Sequence, residues 1–325
     1  MIEHRRTRPA AACLAWVCLG LATGVAAEPP KALAIITNQG SDTVSVIDLD
    51  TAELVTTLDV GDEPAGVSID RRRRLIYITS VKDRRLSAFD ADSFELAAET
   101  ESGLEPLAVI ADARSSRVYV ADWNSATVRV HDGVNLMPRG EYRTGQTPTG
   151  LALTPDGGRL LVANRDDDEI MVIDTVNGLT EARIRVGQAP FGISVTPSGR
   201  HAIVANVQSD DISVVDLRGL QVRATIAVGD MPYASVYDPV RRRVFVTNQS
   251  EGTVSVVDLR EQRELGRIRV GDYPEGIALS VARRRVYVAN WFSNNLSVID
   301  ADQLTVEAHI PTGDGPRAFG DFLLE

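Results

Sequence analysis

The chain has 325 residues, of which 44% are hydrophobic and only 5% aromatic, and a formal charge of −11. A protein this acidic has no overall attraction for nucleic acid or for an anionic membrane, and neither is an expected partner. Both cysteines, Cys13 and Cys18, lie near the N-terminus, so a chain that sheds that segment has no disulfide, thiolate metal site, cysteine nucleophile or covalent c-type haem.

Arg5, Arg6 and Arg8 precede an apolar run from about Ala11 to Val25, which ends on the small residues Val25-Ala26-Ala27. That order reads as a secretory signal peptide cleaved after Ala27. The run is short for a spanning helix, is interrupted by Gly20 and Gly24, and meets Glu28-Pro29-Pro30 at once. The expectation is a leader over residues 1–27 and an exported body over 28–325, periplasmic or secreted, monomeric and without a membrane anchor. Cleavage removes three arginines and one glutamate and shifts the formal charge from −11 to −13.

From Ala32 onward the chain repeats every 42 residues. Gly61, Gly103, Gly145, Gly187, Gly229, Gly271 and Gly313 keep that spacing, each with a proline three residues later, from Pro64 to Pro316. Asp48, Asp90, Asp132, Asp174, Asp216, Asp258 and Asp300 recur in the same register. Each repeat holds four short β-branched runs between turn residues, as in Leu33–Thr37, Val44–Ile47, Leu54–Val60 and Ala65–Ile69, and no amphipathic helix intervenes. Seven such units, over 32–325, specify an all-β, seven-bladed β-propeller of four-stranded blades.

The segment after each proline is the expected innermost strand. Its second residue is always tiny (Gly66, Ala108, Gly150, Gly192, Ala234, Gly276, Ala318), as crowding around one axis requires. Since the chain begins on a second strand and ends on an innermost one, Arg317 to Leu323 is expected to complete the N-terminal blade and close the ring.

Tyr287-Val288-Ala289-Asn290, Val298-Ile299-Asp300 and Val270-Gly271-Asp272-Tyr273-Pro274-Glu275-Gly276 resemble the YVTN-type β-propeller repeat family, over essentially the whole exported chain. The resemblance implies the propeller fold. Propellers of similar architecture include lactonases, a lyase, the methylamine dehydrogenase heavy chain and the haem domain of a nitrite reductase, so fold alone selects no activity.

A residue present in every repeat serves the repeat. The Asp column is read as turn capping, the Gly and Pro columns as turn chemistry with glycine supplying positive φ, and Asn38, Asn164, Asn206, Asn248 and Asn290, broken by Ser80 and Asp122, as further caps. Function is sought where repeats differ. After the proline stand Ala65, Leu107, Thr149, Phe191, Tyr233, Glu275 and Arg317; after the Asn column stand Gln39, Val81, Trp123, Arg165, Val207, Gln249 and Trp291. These place Trp123, Phe191, Tyr233, Tyr273, Trp291 and Phe292 as aromatic contacts at the upper channel mouth, with Arg165, Glu275 and Arg317 as polar anchors for a small ligand or protein partner. Glu275 and Arg317 have a second reading, as a salt bridge between neighbouring blades. An acidic upper rim, including Asp62, Asp166, Asp210, Asp230, Asp272 and Asp314, is either solvated loop charge or a guide for a basic partner such as a periplasmic quinoprotein or cytochrome.

His131, His201 and His309 are scattered, and no catalytic residues, cofactor or metal are assigned. The reading is a binding protein. The enzyme alternative is a Ca²⁺-assisted lactonase, with Asp122, Asn164, Glu275 and Asn290 as ligands.

Overall fold

A computed structural model describes Met1 and residues 32–325. The leader expected over 1–27 and its cleavage point lie outside the described residues, apart from Met1. Among the described residues no helix is long and apolar enough to cross a membrane.

Seven antiparallel sheets form a closed ring. Blade 1 runs from its inner to its outer strand through Pro64–Asp70, Leu75–Ser80, Arg85–Asp90 and Leu96–Glu101. Blades 2 to 6 repeat that order over 106–143, 148–185, 190–227, 232–269 and 274–311, and blade 7 is built on 33–59. The strand called from Leu54 to Val60 is Glu53–Asp59, and the others shift by a residue or two. Inner strands are buried on both faces while the outermost alternate with solvent, so the core lies between blades. Between blades 1 and 2, for example, Tyr77 and Leu86 pack with Val118, Val120 and Leu136.

The C-terminal segment closes the ring, but not as one strand. Leu323–Leu324 pairs antiparallel with Leu33 and Ala34, and the Ile35 N–H donates to Phe322 O (2.9 Å). Between these contacts and Arg317, Phe319–Gly320 leaves blade 7 and pairs in parallel with Gly66 and Val67 of blade 1. Positive φ at Ala318 (47°) and Gly320 (135°) makes the detour.

The repeated columns resolve into distinct tasks. Oδ1 of Asp48 accepts from the N–H groups of Asp50 and Thr51 (2.8 and 3.1 Å), and the column repeats this turn cap through Asp300. Asp216 caps Arg218 alone by the same geometry. The Asn side chains donate to hydroxyl or acid groups of the next strand, as Asn38 does to Ser45 (2.9 Å). Glycine's role corrects the expectation: within the Gly column only Gly103 has positive φ. A Cβ on Gly145 would instead lie 2.7 Å from Asn164, and one on Gly271 2.6 Å from Asn290, so this column makes room for the Asn column. Positive φ sits just before the proline, at Glu63, Thr147, Ala189, Met231, Tyr273 and Gly315. The tiny-residue column behaves as expected. A Cβ on Gly150 would come 2.2 Å from the Phe191 carbonyl of the next blade.

Candidate functional site

The innermost strands begin at the upper end of the channel, and there the unrepeated residues meet. Phe191 and Tyr233, one residue past their prolines on adjacent blades, stack with ring centroids 4.3 Å apart. Phe319 packs on both, at 5.2 and 5.4 Å, and Trp123 reaches Phe191 at 6.1 Å. Phe191 and Tyr233 are buried, so they seal the channel rather than line an open mouth.

A polar network sits against this plug. The guanidinium of Arg317 donates from Nε and Nη2 to the Tyr233 hydroxyl (3.1 and 2.8 Å) and from Nη1 to Gln39 Oε1 (2.8 Å). Its Nε lies 3.2 Å from Glu275 Oε2, the interblade pair anticipated from the sequence. Gln249 Nε2 donates to Glu275 Oε1 (2.9 Å), whereas Oε2 has no directed hydrogen bond and is held by charge alone. Glu275 is 4% exposed. Burial pushes its carboxyl up to about 7, against the opposing pull of Arg317, Tyr233 and Gln249. Burial also raises the Tyr233 phenol. Arg317 stays cationic: burial disfavours its charge, but Tyr233 and Glu275 outweigh that penalty and raise its pKa.

The remaining predicted residues surround this centre. Trp291 lies under Arg317 (5.9 Å to the ring centroid), and Arg165 lies over Trp123 (5.8 Å) while pairing with Asp166 (2.7 Å). Both tryptophans are half-buried. Tyr273 and Phe292 form a separate pair at 5.1 Å, linked to Trp291 by the Trp291 N–H to Tyr273 O bond (3.0 Å). Phe292 is 68% exposed.

Sequence reasoning missed Phe319, Gln39 and Gln249 as members of this assembly. The two glutamines occupy the same column as Trp123 and Trp291, so their signal was present. Phe319 replaces an aliphatic or serine at its repeat position, where the other blades have Val67, Val109, Leu151, Ile193, Ser235 and Ile277. Below the plug the channel forms a well of about 330 Å³, walled by Ile110, Leu151, Leu153, Val236 and Leu279 and roofed by Phe319.

The four residues named as Ca²⁺ donors are each engaged with other partners. Asp122 accepts from the N–H groups of Leu104 and Glu105 (2.8 and 3.0 Å), Asn164 donates to Glu169 (3.0 Å), Asn290 donates to Asn295 and Ser297 (2.7 and 2.8 Å), and Glu275 belongs to the Arg317 network. Among the described residues no group of three or more His, Asp or Glu side chains is placed to hold a metal ion. His131 is a core residue: its ring nitrogens meet Ser102 Oγ (2.9 Å) and Leu136 O (3.0 Å), and burial lowers its pKa.

Several rim acids are structural stitches. Oδ1 of Asp42, Asp168 and Asp210 each accepts from the N–H of the residue 21 positions on, at Glu63, Ala189 and Met231. Exposed Asp62, Asp210, Asp230 and Asp314 have no ion-pair partner among the described residues.

The model of a lactonase family of seven-bladed β-propellers matches residues 132–221, about a quarter of the chain. No curated protein matches by sequence. Solved structures with the same fold include a functionally unknown protein from Desulfotomaculum acetoxidans, at 15% identity and a TM-score of 0.77, covering 89% of this chain and 99% of that one. Hydrazine synthase from Kuenenia stuttgartiensis matches at 18% identity and 0.70, over 78% and 88% of the two chains. The dihydro-heme d1 dehydrogenase NirN, in complex with DHE, matches at 16% and 0.66, over 87% and 74%. At these identities the likeness is one of fold, and the chain is a seven-bladed β-propeller with four-stranded blades.

Proposed function

We propose that this is an exported, non-catalytic binding propeller that docks a protein partner on its upper face. The observation that carries the reading is Phe292, a large apolar side chain left exposed while held in place by Tyr273, next to half-buried Trp291. Aromatic anchors over a rigid base are the usual centre of a protein interface. The unpaired rim aspartates favour a partner with a basic face, by steering its approach. The sealed channel centre favours a surface contact over an engulfed small ligand.

The test is photo-crosslinking from position 292, with position 72 on the lower face as control, in the host cell envelope. A discrete adduct from 292 alone, weakened by salt and lost in Trp291→Ala, is expected. Equal adducts from both positions, or none from 292, would count against docking. Native mass spectrometry of protein isolated from the same cells tests the small-ligand version, through a retained extra mass.

The family match over 132–221 favours one second reading, a lactone hydrolase. Its test is turnover of a lactone panel with added Ca²⁺ and with chelator. Turnover abolished by chelation and restored by the metal would establish it.

A further inference from the structure

A cleft of about 310 Å³ lies in the lower part of the seam between blades 4 and 5, lined by His201 and Arg223 from one side and Tyr237, Arg242, Arg260 and Gln262 from the other. The repeat supplies its own comparison. Positions 201 and 223 correspond to Arg159 and Glu181 in blade 3, which form an ion pair at 2.7 Å, and to Arg285 and Glu307 in blade 6, which also pair. Positions 242 and 260 correspond to Arg74 and Asp92 in blade 1, and to Arg284 and Asp302 in blade 6, both ion pairs. In this seam each acid is replaced by arginine, and both replacements face one cavity.

The resulting charge is uncompensated. Among the described residues none of Arg223, Arg242 and Arg260 has an acidic partner, and the one side-chain contact among them joins Arg223 to His201 at 3.4 Å. Acids close in sequence are engaged elsewhere: Asp238 with Arg284 and Arg243, Asp216 and Asp258 in their turn caps, Glu261 with Arg263. Burial, then Arg223 and Arg200, hold the His201 imidazole below its ordinary pKa, a sign of the local positive potential. Val214, Ala224 and Leu259 give the cleft an apolar floor.

We propose that this interblade cleft binds an anionic phosphoryl group carried by an organic body that rests on the apolar floor. Guanidinium groups suit such oxygens because each offers two parallel donors to them. A cleft of this volume is large enough for a small ester. The group is carried either by a soluble ester or by an anionic lipid headgroup, and the chemistry of recognition is the same.

Isothermal titration at low ionic strength with phenyl phosphate and with inorganic phosphate tests the site. Saturable one-to-one binding is expected, with phenyl phosphate at least about fivefold tighter because only it covers the apolar floor. The variant Arg223→Glu/Arg260→Asp restores the acids that blade 6 carries at these positions, so it is expected to fold and to melt no lower than the parent while losing at least tenfold in affinity. Should it not fold, Arg242→Gln carries the same test, with a loss of threefold or more. Arg72→Glu, in a lower turn of blade 1, is expected to change nothing. Cosedimentation with phosphatidylglycerol vesicles, lost in the same variant, would assign the anion to a lipid; phenyl phosphate binding without it would assign a soluble ester. Unchanged affinity in the charge-restored variant, or no saturable uptake of phenyl phosphate by the parent, would overturn the proposal.

Discussion

Blade 7 and the six blades of continuous chain complete their inner edges differently. In blade 1 the innermost strand, Pro64–Asp70, runs beside its neighbour in an antiparallel ladder interrupted by one irregularity. In blade 7 the corresponding segment is two residue pairs, one of them lent to blade 1. What the ladder loses, side chains replace. Phe322 is fully buried, Arg71 pairs with Asp321 (2.6 Å), and Glu325 meets Arg283 and Ser280 (2.8 and 2.6 Å). The same short segment supplies Phe319 to the channel plug and Arg317 to Glu275. Ring closure and the upper-face network are therefore one piece of structure, and the other blades, which need no closure, have no equivalent of it.

Deleting residues 317–325 is the strongest way to break this contrast. It exposes the inner edge of blade 7 and takes Phe319 out of the plug, so cooperative thermal unfolding should be lost; an unchanged melting curve would mean that the ring does not need its clasp. Next is Arg317→Met, which leaves the Glu275 carboxylate without its cation. At pH 8 this should cost roughly 3 kcal/mol, and much less at pH 5, where Glu275 carries a proton. The parent protein should show the same titration. A carboxyl raised to about 7 in the fold binds its proton more tightly than in the unfolded chain, so this contribution to stability is greatest near pH 4.5, falls as pH rises to about 7, and is flat above. Denaturant midpoints across that range, with Glu275→Gln expected to remove the slope, check the sign.

On the continuous side of the contrast, Gly150→Ala drives a methyl into the Phe191 carbonyl and should cost about 1–3 kcal/mol through overpacking. A neutral result would show that the axis has slack. The smallest effect on stability belongs to Phe292→Ala, within about 0.5 kcal/mol because the side chain is exposed, yet it should weaken partner docking at least tenfold. Equal losses of stability and docking would make Phe292 a packing residue.

The 42-residue period was enough to read the fold, the blade count, the four strands per blade and the role of the C-terminus, because each follows from local signals repeated seven times. Turn caps such as Asp48 were legible for the same reason: their partners lie two or three residues away. The Gly column was not, since the demand on Gly145 comes from Asn164, a neighbour 19 residues on, and not from its own φ. At the candidate site, the column after the prolines pointed to Phe191, Tyr233, Glu275 and Arg317 as one group, and the ring does bring them together. That Phe191 and Tyr233 close the channel depends on Phe319, whose inward place follows from the detour at Ala318 and Gly320. The ion pairs missing between blades 4 and 5 were written in the repeat, yet had no meaning until positions 18 and 22 residues apart were seen to pair across strands.

The sequence by itself determined what depends on near neighbours: strand periods, turns, caps and the number of units that must stack to bury their faces. Only the tertiary structure decided which unrepeated side chains meet, which of them are buried, and that Glu275 sits at a raised pKa beside Arg317. Those outcomes depend on closure of the ring. It sets residues from blades 2, 4, 5, 6 and 7 within a few ångströms around one axis, at sequence separations that no local pattern encodes.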